Sequence, residues 1–191
     1  YSTTADLSNL SDGPLSVTAS VMDAAGNATT ANDTAVLDTG AGISVSLDDV
    51  NAANAAVAPI SGTTNGIEPG RTVTLVVSDG DSATPNVIVT ATVSPDGSYS
   101  TTADLSNLND GSLSVTASVT DAAGNVATAN DTASLDTSAG VTVSLADVNA
   151  ANAAAAPISG MTTGIEPGRT VTLVVSDADP ATPDVTFTAV I

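Results

Sequence analysis

Residues 113–125 read Leu-Ser-Val-Thr-Ala-Ser-Val-Thr-Asp-Ala-Ala-Gly-Asn. In Leu113–Val119, apolar residues alternate with Ser and Thr, which is the period-two pattern of a β-strand that buries one face. Asp121–Asn125 then supplies the Asp, Gly and Asn residues that favour a tight turn. A second alternating run, Val126–Leu135, follows the turn. This stretch therefore predicts an antiparallel hairpin.

The stretch occurs once more, 98 residues earlier, with Met22 in place of Thr120, so the chain contains an internal repeat. When Tyr1 is aligned with Tyr99, 73 of the 93 overlapping positions are identical. A repeat of this length is a complete small domain, unlike solenoid units of about 20–50 residues, which must stack to bury a core. We therefore expect an array of similar modules.

Period-two alternation continues on both sides of the hairpin and predicts seven strands in one repeat. They are Ile43–Leu47, Val57–Thr63, Thr72–Ser78, Val87–Val93, Tyr99–Leu105, Leu113–Val119 and Val126–Leu135. The Ala-rich segment 52–58 permits a short helical turn as the alternative to extended chain, with Pro59 ending it. Seven short strands indicate an all-β sandwich.

The composition supports this fold class and excludes several functions. Hydrophobic residues make up 42% of the chain, yet only Tyr1, Tyr99 and Phe187 are aromatic, so Val, Ile, Leu, Ala and Thr must form a thin core. The formal charge of −19 opposes binding to nucleic acid or to an anionic membrane surface. Without Cys or His, and with no recognisable nucleophile and base, the chain is not expected to be an enzyme.

Short Gly-containing linkers at 37–42 and 135–140 divide the chain. We predict the C-terminal part of one module at 1–40, a complete module at 41–138 and the N-terminal part of the next at 139–191. The outer parts would expose strand edges by themselves. They either continue into further chain or complement each other between molecules.

Three phrases resemble the bacterial immunoglobulin-like (Ig-like) extender repeats of giant adhesins. They are the hairpin segment 113–125, Asp49-Val-Asn-Ala-Ala-Asn54 and Ile60-Ser-Gly-Thr-Thr64. The resemblance implies Greek-key β-sandwich modules of about 98 residues arranged end to end. It also implies Ca²⁺ at the module junctions, type 1 secretion in an RTX-type protein and an extracellular location on the bacterial surface. The implied function is a stiff spacer that projects a distal adhesive tip for adhesion or biofilm formation.

The acidic loops indicate where Ca²⁺ would bind, because an Ig-like sandwich sorts its loops into two poles. At the N-terminal pole of module 41–138 we expect Glu68, Asp121 and Asn125 to face the linker residue Asp38 and the preceding module's Asp12. At the C-terminal pole, the expected ligands are Asp48, Asp49, Asn51, Asp79, Asp81, Asp110 and Asp136, facing Glu166 of the next module. Ca²⁺ takes six to eight oxygen ligands with tolerant geometry. Without a cation, carboxylates about 4–6 Å apart would raise one another's pKa values.

Other interpretations remain open at this stage. Asp, Asn and Gly are ordinary turn residues, so an acidic loop can simply be solvated. Asp131 lies within a strand and is expected to be a charge that guards a sheet edge. The partners are expected to be neighbouring repeats, with self-association into a matrix filament, or carbohydrate binding, as the alternative functions.

Overall fold

The computed structural model describes residues 1–191, and its regular secondary structure is almost entirely β-strand. The strands are β1 Gly13–Met22, β2 Ala28–Leu37, β3 Gly42–Ile43, β4 Ser46–Leu47, β5 Val50–Asn51, β6 Ala58–Asn65, β7 Thr72–Ser78, β8 Val87–Thr92, β9 Ser98–Ala103, β10 Gly111–Thr120, β11 Val126–Asp136, β12 Gly140–Val141, β13 Ser144–Leu145, β14 Ile158–Ser159, β15 Thr162–Thr163, β16 Thr170–Val175 and β17 Val185–Val190. Two 3₁₀ turns lie at Ala55–Val57 and Ala153–Ala155. No helix has the length and hydropathy needed to cross a membrane.

Strands β3–β11 form a two-layer sandwich in the middle of the chain. One sheet has the order β5-β11-β10-β7-β8, and the other joins β3 and β4 to β6, which also pairs with β9. Because β7 pairs with the non-consecutive β10, the chain crosses between the sheets in a Greek-key manner. The predicted all-β, Ig-like sandwich is confirmed.

The core lies entirely inside this middle segment. Its 21 buried apolar residues run from Leu47 to Leu135, and Tyr99 is their only aromatic member. Alternate positions of β7 and β10 are buried, as the sequence pattern predicts. All of these residues fall within the predicted module 41–138, so that module carries its own core. The module boundaries themselves stay predictions.

The first predicted strand, Ile43–Leu47, is wrong in one respect, because β3 and β4 are separate. At Ser44 the side chain replaces the backbone in the ladder: the Thr63 N–H donates to Ser44 Oγ at 3.0 Å. The Ser44 carbonyl instead accepts the hydroxyl of the buried Tyr99. The edge strand is interrupted there because the Thr63 N–H and the Ser44 carbonyl bond to side chains, whereas the Ser44 N–H still donates to the Thr63 carbonyl at 2.8 Å.

Asp131 makes a long-range bond in addition to the edge-guarding role that the sequence predicts for it, and that role stays a prediction. Its Oδ2 accepts the Leu47 N–H at 3.0 Å, and Asp49 Oδ1 accepts the Ser134 N–H at 2.8 Å. Between these two bonds the chain leaves β6 and pairs with β11 in parallel at Val50. The two carboxylates therefore hold the first strand where it switches sheets.

The helical alternative for segment 52–58 is the one that forms. The 3₁₀ turn occupies Ala55–Val57, and β6 begins at Ala58 rather than at Val57. The Asn51 N–H donates to Asn54 Oδ1 at 2.7 Å, and the Ala53 N–H donates to Asn51 Oδ1 at 2.8 Å. These side-chain bonds close the turn and make extended chain unfavourable there.

The flanking segments repeat the local structure of the middle module. Strands β1 and β2 form a hairpin in which Gly13 pairs with Leu37, and in β10–β11 the equivalent Gly111 pairs with Leu135. Strands β12–β17 repeat the pairings of β3–β8 apart from the short β5. One sequence pattern thus gives the same strand pairing in each copy.

Candidate functional site

The linker between the first hairpin and the middle module is bonded to the segment before it. Asp12 Oδ1 accepts the Thr39 N–H at 3.1 Å and the Thr39 hydroxyl at 2.8 Å. Asp110 and Thr137 repeat this arrangement at the next linker, at 2.9 and 2.8 Å. An aspartate therefore fastens the linker to the upstream module at both junctions.

The same linker is bonded to the module that follows it, through Asn125. The Asn125 Nδ2 group donates one N–H to the Asp38 carbonyl oxygen at 3.0 Å and the other to Asp121 Oδ2 at 2.7 Å. Asp121 Oδ1 accepts the backbone N–H groups of Gly124 and Asn125 at 2.7 and 2.8 Å. The amide of Asn125 thus joins the linker to the turn between β10 and β11.

The turn between β6 and β7 completes the N-terminal pole. Glu68 Oε2 accepts the Ala122 N–H at 2.9 Å and lies 3.4 Å from Arg71 Nε. Gly66 has φ +71°, and a Cβ on it would overlap the carbonyl oxygen of Gly40. The linker therefore packs directly against this turn, and only glycine permits that approach.

The predicted N-terminal pole is thus assembled: Glu68, Asp121, Asn125 and Asp38 meet, and Asp12 reaches the linker from the other side. Asp121 is only 2% exposed and is the one buried polar or charged residue in the structure. Its burial raises the carboxyl pKa, but the hydrogen bonds from Asn125 and Gly124 outweigh this and leave the pKa below its ordinary value.

At the C-terminal pole, Asn109 joins two of the predicted residues. Its backbone N–H donates to Asp79 Oδ2 at 2.8 Å, and its Nδ2 lies 3.3 Å from Asp81 Oδ2 and 2.9 Å from Thr84 Oγ1. The backbone N–H of Asn109 is the main reason that the pKa of Asp79 is lowered. The hydrogen bond from the Thr137 hydroxyl is likewise the main reason that the pKa of Asp110 is lowered.

The remaining predicted residues lie apart from these groups. Asp48 is exposed, and Asp136 Oδ1 accepts the Ser138 N–H at 3.2 Å. Asn51 makes the local bonds described above, whereas Asp49 accepts the N–H of the distant Ser134. Glu166 pairs with Arg169 at 3.5 Å.

The donor set at the N-terminal pole does not fit Ca²⁺. No three Asp or Glu side chains come close enough together to hold a metal ion. The oxygen atoms of Asp121, together with the Asp38 carbonyl, face N–H groups, whereas Ca²⁺ requires free oxygen lone pairs. The lowered pKa values of Asp79, Asp110 and Asp121 are also opposite to the mutual repulsion expected from the sequence. Whether any of these residues binds a metal stays a prediction.

Sequence reasoning missed the hydrogen-bond donors of the junctions. Thr39, Thr137 and Asn109 supply hydroxyl or amide donors to predicted carboxylates. A signal existed for the threonines, since Thr39 and Thr137 occupy one repeat position next to the linker aspartates. A search confined to acidic residues could not find them.

Comparison with known proteins shows which family the chain resembles. A family model described as a bacterial Ig-like domain matches residues 52–137, almost the whole middle module. A solved tetra-tandem repeat from the extending region of a large adhesion protein is 38% identical over 99% of this chain, with a TM-score of 0.52. The chain spans about half of that solved chain, 48% of it. A bacterial Ig-like domain of the M. primoryensis ice-binding adhesin is 30% identical, with 50% of this chain and 96% of that domain covered and a TM-score of 0.36. No curated protein matches the chain.

Proposed function

Because the chain belongs to the bacterial Ig-like domain family, we propose that its repeats are a structural spacer of a bacterial cell-surface adhesin. In this proposal, the array stands outside the cell and projects a distal adhesive tip. The likeness to repeats from the extending region of a large adhesion protein supports this function.

The observation that carries the proposal is the linker bonded on both sides. Thr39 is held by Asp12 of the preceding segment, and the neighbouring Asp38 carbonyl is held by Asn125 of the following module. A linker with bonds in both directions leaves consecutive modules little freedom to bend. A chain of such modules is suited to spanning distance.

The one buried acidic side chain of the structure has a structural role. The chain has no Cys and no His. Asp121, the one buried acid, has its two oxygens engaged by Asn125 and Gly124. The Asp121 carboxylate therefore stabilises the turn.

Small-angle X-ray scattering of tandem copies of residues 41–138 tests the spacer function. Strands of this length give a module about 30–45 Å long, so each added copy should lengthen the particle by about that amount. A maximum dimension that stops growing with copy number would contradict the proposal.

Self-association is the second candidate, and β8 favours it. This strand ends its sheet, carries no charge and exposes Ile88 to 65%. An uncharged edge strand is a template for pairing with another chain. In the same scattering experiment, a mass that rises with concentration would support this function, and a constant monomer mass would count against it.

Calcium, type 1 secretion and biofilm formation stay predictions from the resemblance. Calcium is left out of the spacer proposal because no three acidic side chains come close enough together to hold a metal ion.

A further inference from the structure

Hydrogen bonds within the chain engage both oxygens of Asp121, the Asn125 amide nitrogen and Glu68 Oε2 at the N-terminal pole. The two N–H bonds of the Asn125 amide go to two acceptors, the Asp38 carbonyl and Asp121 Oδ2. Glu68 is engaged by the Ala122 N–H and by Arg71. Throughout the structure, no buried side-chain nitrogen or oxygen lacks a hydrogen-bond partner. A waiting cation site would instead leave oxygens facing each other without donors.

We propose that this junction is held without a metal ion, with the Asn125 amide as the direct link between the linker and the downstream module. The inference rests on the proposed spacer function for its purpose, since it names what makes the spacer stiff. It contradicts the calcium clamp predicted from the sequence.

The first hairpin contains the same turn, with the same bonds between its aspartate and its asparagine. There, Asn27 Nδ2 donates to Asp23 Oδ2 at 2.8 Å, and the Asn27 N–H donates to Asp23 Oδ1 at 2.8 Å. Asp121 and Asn125 make the same two bonds in the middle module. The Asp-Ala-Ala-Gly-Asn turn therefore orients the amide by itself, and the amide's second N–H is free to take the linker carbonyl.

Asparagine is required at this position because its amide donates. An aspartate of the same shape would have no N–H to give. It would place a carboxylate against Asp121 and against the Asp38 carbonyl, and those oxygens would repel one another. Such a set of oxygens is what Ca²⁺ prefers, so Asn125→Asp should create the cation dependence that the natural junction lacks.

The test uses three tandem copies of residues 41–138, in which Asp136 occupies the linker position of Asp38. The module can be studied by itself because its whole buried core lies between Leu47 and Leu135. Small-angle scattering of the wild type, Asn125→Ala, Asn125→Asp and the control Asn130→Ala is recorded in millimolar calcium and in excess chelator. Asn130 is an exposed amide on the face of the sheet that accepts only the Thr116 hydroxyl. Thermal unfolding of each variant establishes that its modules are folded.

We expect the wild type and Asn130→Ala to keep one maximum dimension in both solutions. Asn125→Ala should be shorter and more flexible in both. Asn125→Asp should be short in chelator and regain length in calcium, a response that simple destabilisation of the module would not give.

Two results would overturn the inference. In the first, the wild type shortens on chelation. In the second, Asn125→Ala or Asn125→Asp stays fully extended in chelator. Neither result would remove the spacer function, because the wild type in calcium would still lengthen with each added copy.

Discussion

The hairpins β1–β2 and β10–β11 have nearly the same sequence and the same register, yet their surroundings differ. Val115 is fully buried, whereas Val17 at the same repeat position is 62% exposed. Val119 is 3% exposed and Val21 is 66% exposed. The hairpin forms in both places because its turn and its alternation are local. Burial requires the second sheet, and within residues 1–191 only the middle module contains both sheets.

The turns of the two hairpins also share their local structure and differ in their surroundings. The pKa values of Asp23 and Asp121 are both lowered by bonds from the asparagine four residues later. Only Asp121 is buried, and only Asn125 reaches a linker carbonyl. The turn therefore folds through its own local bonds. Its burial and its contact with a linker depend on the elements packed around it.

Truncating Leu113 should show the largest difference between the two hairpins. Leu113→Ala leaves a cavity in the closed core and should lower the free energy of unfolding by about 2–5 kcal/mol. Leu15→Ala, at the same repeat position, lies outside the buried cluster and should leave the middle module unchanged. Urea unfolding of the chain 1–191 measures both. Equal losses for the two variants would show that the first hairpin also belongs to that core.

Removing the Tyr99 hydroxyl should lower the free energy of unfolding by a smaller amount. It should also change how that free energy depends on pH. Tyr99→Phe loses the bond to the Ser44 carbonyl and should cost about 1–3 kcal/mol in the free energy of unfolding. Burial raises the pKa of Tyr99 from 10.0 to about 12, so the folded protein holds this proton more tightly than the unfolded chain. The stability it gives is complete below about pH 10 and is lost as the pH rises to about 12.

Urea unfolding between neutral pH and about pH 12 measures this effect. The Tyr99→Phe protein should lack the part of the alkaline decline that Tyr99 causes. Tyr1→Phe, at the same repeat position but fully exposed, should behave as the wild type. An identical alkaline decline in Tyr99→Phe would refute the assignment.

The smallest expected effect compares two copies of one loop. Gly80 has φ +78°, and the same repeat position in the last segment is Ala178, with φ +63°. A Cβ at Gly80 would meet no neighbouring atom, so Gly80→Ala should cost only the backbone strain, about 1–2 kcal/mol. Thermal unfolding of module 41–138 measures it, with the exposed neighbour Ser82→Ala as control. No loss in Gly80→Ala would mean that the loop adopts another backbone conformation.

Much of the fold was predictable because its signals are local. Alternation located β7, β8, β10 and β11 to within a residue or two of their observed ends. The break between β3 and β4 was not predictable, because it depends on Tyr99, 55 residues away from Ser44. The bond from Leu47 to Asp131 spans 84 residues, so no local pattern could reveal it.

The junction was predictable in its members but not in its chemistry. The loop order of an Ig-like sandwich brought Glu68, Asp121 and Asn125 to the linker. Residue type then suggested a cation, because acidic side chains were counted and the N–H groups facing them were not. Donor positions depend on backbone geometry and side-chain rotamers, which the sequence shows only indirectly.

The sequence by itself determined the repeat, most of the strands, the hairpin turns and the meeting of Glu68, Asp121 and Asn125 at the N-terminal pole. These features follow from alternation, turn residues and the 98-residue period, which act over short distances or by simple copying. The tertiary structure decided which copies of a residue are buried and where the first strand changes sheets. It also decided that the Asn125 amide meets the Asp38 carbonyl, since that contact joins groups 87 residues apart.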